Sequence, residues 1–128
     1  MKNIGPWAVV AILAWVGWIL ADLSQTSTAS VAGSSMAGVA NSKVPVLVEF
    51  YADWCGPCRT VGPVVDALAV ELAGKAKVIR INVDEQGALA AENGIRGIPA
   101  FIAYRNGREV SREVGGISKQ MMLKMLGL

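Results

Sequence analysis

Histidine is absent from the 128 residues of this sequence. Without an imidazole the chain cannot build Ser-His-Asp or Cys-His nucleophiles, and mixed Cys/His zinc sites are excluded with them. Cysteine occurs only twice, at Cys55 and Cys58, which is too few for the disulfide framework of a small secreted domain. Two cysteines this close in sequence cannot staple distant elements, so we interpret them as a reactive pair.

A strong charge of either sign is also lacking. The 12 basic and 10 acidic residues give a net charge of +2, and they are interspersed from Lys43 onward. Nucleic-acid-binding domains concentrate lysine and arginine on one surface, so the sequence predicts no nucleic-acid partner. The length and the 53% of hydrophobic residues suffice for one small domain with accessory segments.

An uncharged run extends from Ile4 to Ala21 and is hydrophobic on every helical face. Its length lies between that of a spanning helix, about 20 residues, and that of a signal-peptide core, about 7 to 15. Trp7 and Trp18 near its two ends, with Lys2 before it, favour an uncleaved anchor and a cytoplasmic start. The small-residue triplets between Ser27 and Ala32 favour signal cleavage instead.

Three parts of the chain follow from this pattern. Residues 1–23 are predicted to be a transmembrane anchor or a signal peptide, and residues 43–128 a folded domain. Residues 24–42 are mostly Ser, Thr, Ala and Gly without periodicity, which predicts a flexible linker, with a weak strand near Val39 as the alternative. The domain is therefore expected on the extracytoplasmic, periplasmic side of a membrane, either anchored there or released as a soluble periplasmic or secreted protein.

Strands and helices are predicted to alternate in the folded domain. The apolar run Val46–Tyr51 has the character of a central strand covered on both faces. The period then becomes helical from about Gly56 to Ala73, with Pro63 inside as an expected kink. The next predicted elements are a strand at Val78–Val83 and a short helix at Gly87–Asn93, which Gly94 can cap.

An antiparallel pair of strands is predicted after these elements. Ala100–Tyr104 and Glu109–Val114 flank the Asn106-Gly107 dipeptide, which is a strong hairpin signal. Ser118 is placed to cap a last helix whose apolar residues fall on one side. The sequence thus predicts an α/β fold with a mixed central sheet and helices on both faces, preceded by the N-terminal hydrophobic helix.

The segment Trp54-Cys55-Gly56-Pro57-Cys58 directly follows the first strand and opens the first helix. The helix N-terminus would stabilise a thiolate at Cys55 through its unpaired N–H groups and its dipole. A spacing of three residues puts Cys58 close enough to attack a mixed disulfide formed at Cys55. Pro57 fits the first helical turn, and Gly56 lets a partner chain approach. The alternatives are an inert pair or half of a four-cysteine zinc clip, which would need a second subunit.

Five segments resemble the thioredoxin family in order and spacing: VLVEFYADWCGPC, VIRINVD, GIRGIP, FIAYRNGREV and VGGISKQ. The resemblance begins at Val46 and implies a thioredoxin fold with Cys55 as the attacking thiol and Cys58 as the resolving thiol. It implies no cofactor besides the redox-active Cys55–Cys58 disulfide, and we predict no metal site. It also implies that Pro99 is cis and faces the cysteines, so that the backbone of Ile98 could pair with an extended substrate strand.

Glu49 departs from the family pattern. Thioredoxin-like proteins typically hold a buried aspartate here, which accepts the proton of the resolving thiol directly or through water. A desolvated carboxylate with a raised pKa suits that task, but glutamate is longer by one methylene, which alters the geometry of the transfer. Strand alternation places Glu49 with Leu47 and Tyr51. Arg80 matches the family's lysine near this acid, and it either pairs with Glu49 or points outward.

A second departure concerns the start of the domain. The family usually opens with a strand and a helix before the central strand, and residues 24–42 are a poor candidate for both. We therefore expect a shortened domain that lacks the first strand-helix unit and leaves an edge or face of the sheet uncovered. Two exposed regions complete the expectations: Trp54 should pack at the rim with some substrate contact, and Asp84 and Glu85 should be solvated turn residues.

The favoured function is an enzyme that exchanges disulfides with protein substrates outside the cytoplasm. Gly-Pro between the cysteines resembles thioredoxin and indicates a reductant, which would draw electrons from a further thiol protein, such as a transmembrane carrier. The membrane would be contacted through the N-terminal segment. Two alternatives stay open: a disulfide-forming oxidant, which differs only in reduction potential, and a tethered binding or assembly module without turnover.

Overall fold

A computed structural model describes residues 31–128. The predicted anchor or signal peptide at residues 1–23, and the first part of the predicted linker, lie outside these residues. The elements in chain order are α1 (Val31–Ala40), β1 (Val46–Tyr51), α2 (Gly56–Glu71), β2 (Lys77–Asn82), α3 (Gly87–Glu92), β3 (Ala100–Arg105), β4 (Arg108–Val114) and α4 (Lys119–Leu126). Between residues 31 and 128 no helix combines the length and the apolar character that crossing a membrane requires.

The four strands form one mixed sheet in the order β2-β1-β3-β4. β1 pairs in parallel with β2 and antiparallel with β3, and β4 continues the sheet antiparallel to β3. Because β1 and β2 are parallel neighbours, their carboxyl ends meet at the same edge of the sheet. The mixed sheet that the sequence predicts is confirmed, and β1 has the central place expected of its apolar run.

Side chains of β1 alternate between two cores. Leu47 packs on one face with the buried residues of α2 and α4, among them Val65 and Met122. Val48 and Phe50 pack on the other face with residues of α1 and α3, among them Ala90. Helices therefore cover both faces, and alternation places Glu49 on the α2 and α4 side, as predicted from the strand period.

The turns and caps follow the local sequence. Asn106 and Gly107 both have positive φ angles, 52° and 75°, which is the backbone that a two-residue hairpin turn requires. Gly94 follows α3 with a φ of 67°. The hydroxyl of Ser118 accepts a hydrogen bond from the N–H of Met121 at 3.2 Å and so caps α4 as predicted. Pro63 lies within α2, which runs on through it.

Helix α1 corrects two predictions. Its residues Val31–Ala40 fall inside the range predicted as a flexible linker with a weak strand near Val39. Val39 is 2% exposed, and both Val39 and Met36 pack against the β1 and β3 side chains of the second core. Ser, Ala and Gly make up most of this stretch, so its sequence shows no clear helical period. Alanine and the tertiary contact favour the helix instead.

The expectation of a domain without its first strand-helix unit is accordingly wrong for the helix. α1 precedes β1 and covers the sheet face formed by residues such as Val48 and Phe50. For the strand, the structure within residues 31–128 has none before β1, which leaves β2 at the edge of the sheet as described.

Candidate active site

The two cysteines lie at the start of α2, after the short connection from β1. Cys55 is the N-cap residue of α2, with an extended backbone at φ −79° and ψ 113°, and it forms a disulfide with Cys58. The Cα atoms are 5.2 Å apart, and the N–H of Cys58 donates to Cys55 Sγ at 3.3 Å. When the pair is reduced, that N–H and the helix dipole stabilise a thiolate at Cys55, as the motif predicts.

Ile98 lies beside the disulfide. The Ile98–Pro99 peptide bond is cis, as the family resemblance implies. Ile98 packs against the small cluster that Ala52 forms with Cys55 and Cys58. The Ile98 side chain therefore packs next to the redox pair.

The exposed side chain of Trp54 is held in place by a hydrogen bond. Its side chain is 68% exposed, yet the indole Nε1 donates a hydrogen bond to Asp84 Oδ2 at 2.9 Å. Asp84 is oriented in turn, because its backbone N–H donates to the side-chain Oδ1 of the buried Asn82 at 2.9 Å. This arrangement fixes the indole as one wall of an apolar groove of about 400 Å³, which is also lined by Val83, Ala90, Ile95 and Ile98.

Behind the cysteines, Glu49 is fully buried and its Oε2 accepts a hydrogen bond from Arg80 Nε at 2.5 Å. Its Oε1 has no hydrogen-bond partner among the described residues. Burial raises the pKa of Glu49, and the hydrogen bond and charge of Arg80 oppose that rise without cancelling it. The pairing predicted for Arg80 is present, and the alternative in which its side chain points only outward is excluded.

Arg80 has further contacts on its outer side. Its Nη1 donates to Asp66 Oδ1 at 3.2 Å, and its guanidinium carbon lies 4.3 Å from the centroid of the Tyr51 ring. Arg80 and Cys58 both line a cavity of about 400 Å³ between β1 and α2. The buried carboxylate is thus connected, through Arg80, to the space beside the resolving sulfur.

Comparison with known proteins decides the family. A family model described as thioredoxin matches residues 30–127. The thioredoxin of Haemophilus influenzae is 42% identical over 88 residues, which are 69% of this chain and 82% of that protein. Thioredoxin 1 of Nostoc sp. is 46% identical over 88 residues, again 69% of this chain and 82% of its own. The chain belongs to the thioredoxin family.

As a member of the thioredoxin family, the protein is a thiol-disulfide oxidoreductase whose redox group is the Cys55–Cys58 disulfide. Thioredoxins act on disulfides of protein substrates and work with a reductant partner. Over residues 31–128 the structure shows no group of three or more His, Cys, Asp or Glu side chains that could hold a metal ion.

Two side chains of this thioredoxin site were not singled out from the sequence. Asp84 is an exposed turn residue, as expected, and its carboxylate also accepts the hydrogen bond that holds Trp54. Its position just after β2 is a signal, since the parallel strands β1 and β2 end at the same edge. Asp66 belongs to the polar face of α2, and its spacing of four residues from Gly62 places both on the side where Arg80 lies.

Proposed function

We propose that this thioredoxin reduces disulfide bonds of protein substrates outside the cytoplasm. The observation that carries disulfide exchange is the environment of Cys55, which caps α2 and receives the N–H of Cys58. That environment favours a thiolate, the form that attacks a substrate disulfide. The reductive direction is supported by the Gly56-Pro57 pair between the cysteines, which resembles thioredoxin, and by the lack of histidine in the chain.

The reaction proceeds in two displacements. The Cys55 thiolate attacks one sulfur of the substrate disulfide, which forms a mixed disulfide and releases the first substrate thiolate. Cys58 then gives its proton to the Glu49 carboxylate, directly or through water, and its thiolate attacks Cys55 Sγ. The second substrate thiolate leaves and takes a proton from solvent. Two electrons have passed from the cysteine pair, now a disulfide, to the substrate, now a dithiol.

Substrate binding is assigned to the surface around the disulfide. The backbone of Ile98 would pair with an extended substrate segment, since main-chain hydrogen bonds recognise a strand regardless of its sequence. Trp54 and the apolar groove beside it would accept a neighbouring side chain. Gly56 has no atom within 4 Å of where a Cβ would stand, so the chain of a partner can come close to Cys55.

The location outside the cytoplasm rests on the N-terminal run from Ile4 to Ala21. As an anchor it would hold the domain at the membrane surface, and as a signal peptide it would release it. A reductant in that compartment needs electrons from another thiol protein, for which a transmembrane thiol carrier is the fitting class. The test is mass analysis of membrane and soluble fractions. Intact Met1 in membranes supports the anchor, whereas a start near Ser30 supports cleavage.

The direction of electron flow is tested by the equilibrium reduction potential of the Cys55–Cys58 pair in the full chain. The pair is equilibrated with glutathione or dithiothreitol, and free thiols are trapped. A value near about −270 mV supports the reductant, and one near about −120 mV identifies an oxidant and overturns the proposed direction. The matched variants are Cys55→Ser, which should lose all exchange, and Cys58→Ser, which should accumulate mixed disulfides with protein substrates.

A further inference from the structure

One guanidinium serves two carboxylates at different depths. Arg80 donates through Nε to Glu49, which is fully buried, and through Nη1 to Asp66, whose side chain is 65% exposed. We propose that Asp66 is a positioning residue of the disulfide exchange, which retains Arg80 as a counterion when Glu49 takes up the proton of Cys58. This inference rests on the proposed role of Glu49 as proton acceptor.

The chemical reason is that arginine cannot give up its charge. When Glu49 becomes neutral, a guanidinium that is only 26% exposed loses its buried anion, and an uncompensated charge there is costly. Asp66 supplies a second carboxylate, which already pairs with Arg80 at the surface. The neutral form of Glu49, which the reaction needs in its second displacement, is therefore less unfavourable with Asp66 than without it.

The structure leaves room for the Arg80 guanidinium to shift from Glu49 toward Asp66. The Arg80 side chain lies across Gly62, where a Cβ would stand 3.1 Å from Nη2. It borders the cavity of about 400 Å³ that Cys58 and Asp66 also line. The ring of Tyr51 supports the guanidinium from one side. A small shift along the cavity would strengthen the Asp66 contact and loosen the one to Glu49.

The other groups around Glu49 do not offer an equivalent partner. Asp53 and Arg59 line the same cavity, but neither forms an ion pair within residues 31–128. On β3 the register partner of Glu49 is the apolar Phe101. The buried residues that α4 contributes to this side of the sheet are also apolar: Met122, Met125 and Leu126. Asp66 also raises the pKa of Glu49 through its negative charge.

The test compares Asp66→Asn with Glu71→Gln in the full chain. Asparagine keeps an oxygen that can accept from Arg80, so the change removes mainly the charge. Glu71 is the matched control, since it lies on the same helix and pairs with Lys119 at 2.5 Å, away from Arg80. Two readouts are used: the pH profile of single-turnover reduction of a peptide disulfide, and the infrared carboxyl band of Glu49, identified by its loss in Glu49→Gln.

We expect Asp66→Asn to lower the pKa of Glu49. The infrared band should disappear at a lower pH, the acidic limb of the rate profile should move with it, and the plateau rate should fall at least about threefold. Glu71→Gln should match the parent protein. A profile and band in Asp66→Asn that equal those of Glu71→Gln would overturn the role of Asp66 alone. If Glu49→Gln keeps the parent's rate profile, the proton-acceptor role fails and the inference fails with it.

Discussion

Trp54, which lines the apolar groove, is joined to Asp84 by a hydrogen bond of 2.9 Å, with the indole as donor. The two residues are 30 positions apart in sequence, and they meet because β1 and β2 are parallel neighbours whose carboxyl ends share one edge. An indole that is 68% exposed would otherwise sample several rotamers. The bond therefore preorganises the groove wall for substrate.

The first prediction is that Asp84→Ala weakens substrate binding more than turnover. Freeing the indole means that binding must order it again, and such ordering costs about 0.5 to 1.5 kcal/mol per side chain. KM for a protein disulfide should rise about two- to tenfold, with kcat changed less. Steady-state kinetics measure both, and the adjacent exposed Glu85→Ala is the control. Equal effects of the two substitutions would show that the hydrogen bond has no part in recognition.

The second prediction concerns stability against pH. Burial raises the pKa of Glu49 in the folded protein, so folding favours its protonated form. The contribution of Glu49 to stability is therefore greatest below the pKa of the unfolded chain and declines as pH rises through the folded pKa. Glu49→Gln removes that decline, because glutamine stays neutral while Arg80 retains Asp66 as a partner.

The free energy of unfolding of Glu49→Gln should thus equal that of the parent protein in acid and exceed it at neutral pH, by about 1 to 4 kcal/mol. Urea unfolding at a series of pH values measures the difference. Glu92→Gln, at an exposed position of α3, should give no such trend. A variant that is less stable than the parent at neutral pH would mean that the ion pair with Arg80 outweighs the burial of the carboxylate.

The third prediction tests whether α1 belongs to the folded domain. Val39 is 2% exposed in the second core, so Val39→Ala should lower the free energy of unfolding by about 1 to 3 kcal/mol. Val70→Ala, at a position that is 79% exposed, is the control and should change stability little. Denaturant titration of both variants is sufficient. If Val39→Ala leaves the free energy of unfolding unchanged, this stretch is a flexible linker and not part of the folded domain.

Prediction from sequence succeeded where a short segment carries its own physical signal. The apolar run of β1, the helical period of α2 and the Asn106-Gly107 turn are encoded by neighbours in the chain, and the structure contains each of them. Prediction from sequence failed for α1, because this helix depends on its packing against the sheet face that it covers. Met36 and Val39 of α1 pack in the second core, and two such apolar side chains are too weak a pattern to recognise alone.

In the active site, too, some features follow from local sequence and others only from the tertiary structure. The CGPC segment directly after a strand identifies Cys55 and Cys58 as the redox pair, because spacing and the helix start are local properties of the chain. The sequence by itself therefore determined the chemistry and the family resemblance. Only the tertiary structure decided the contacts of Asp84 with Trp54 and of Arg80 with both Glu49 and Asp66. These pairs arise from strand register and helix packing, which bring together residues that no sequence period relates.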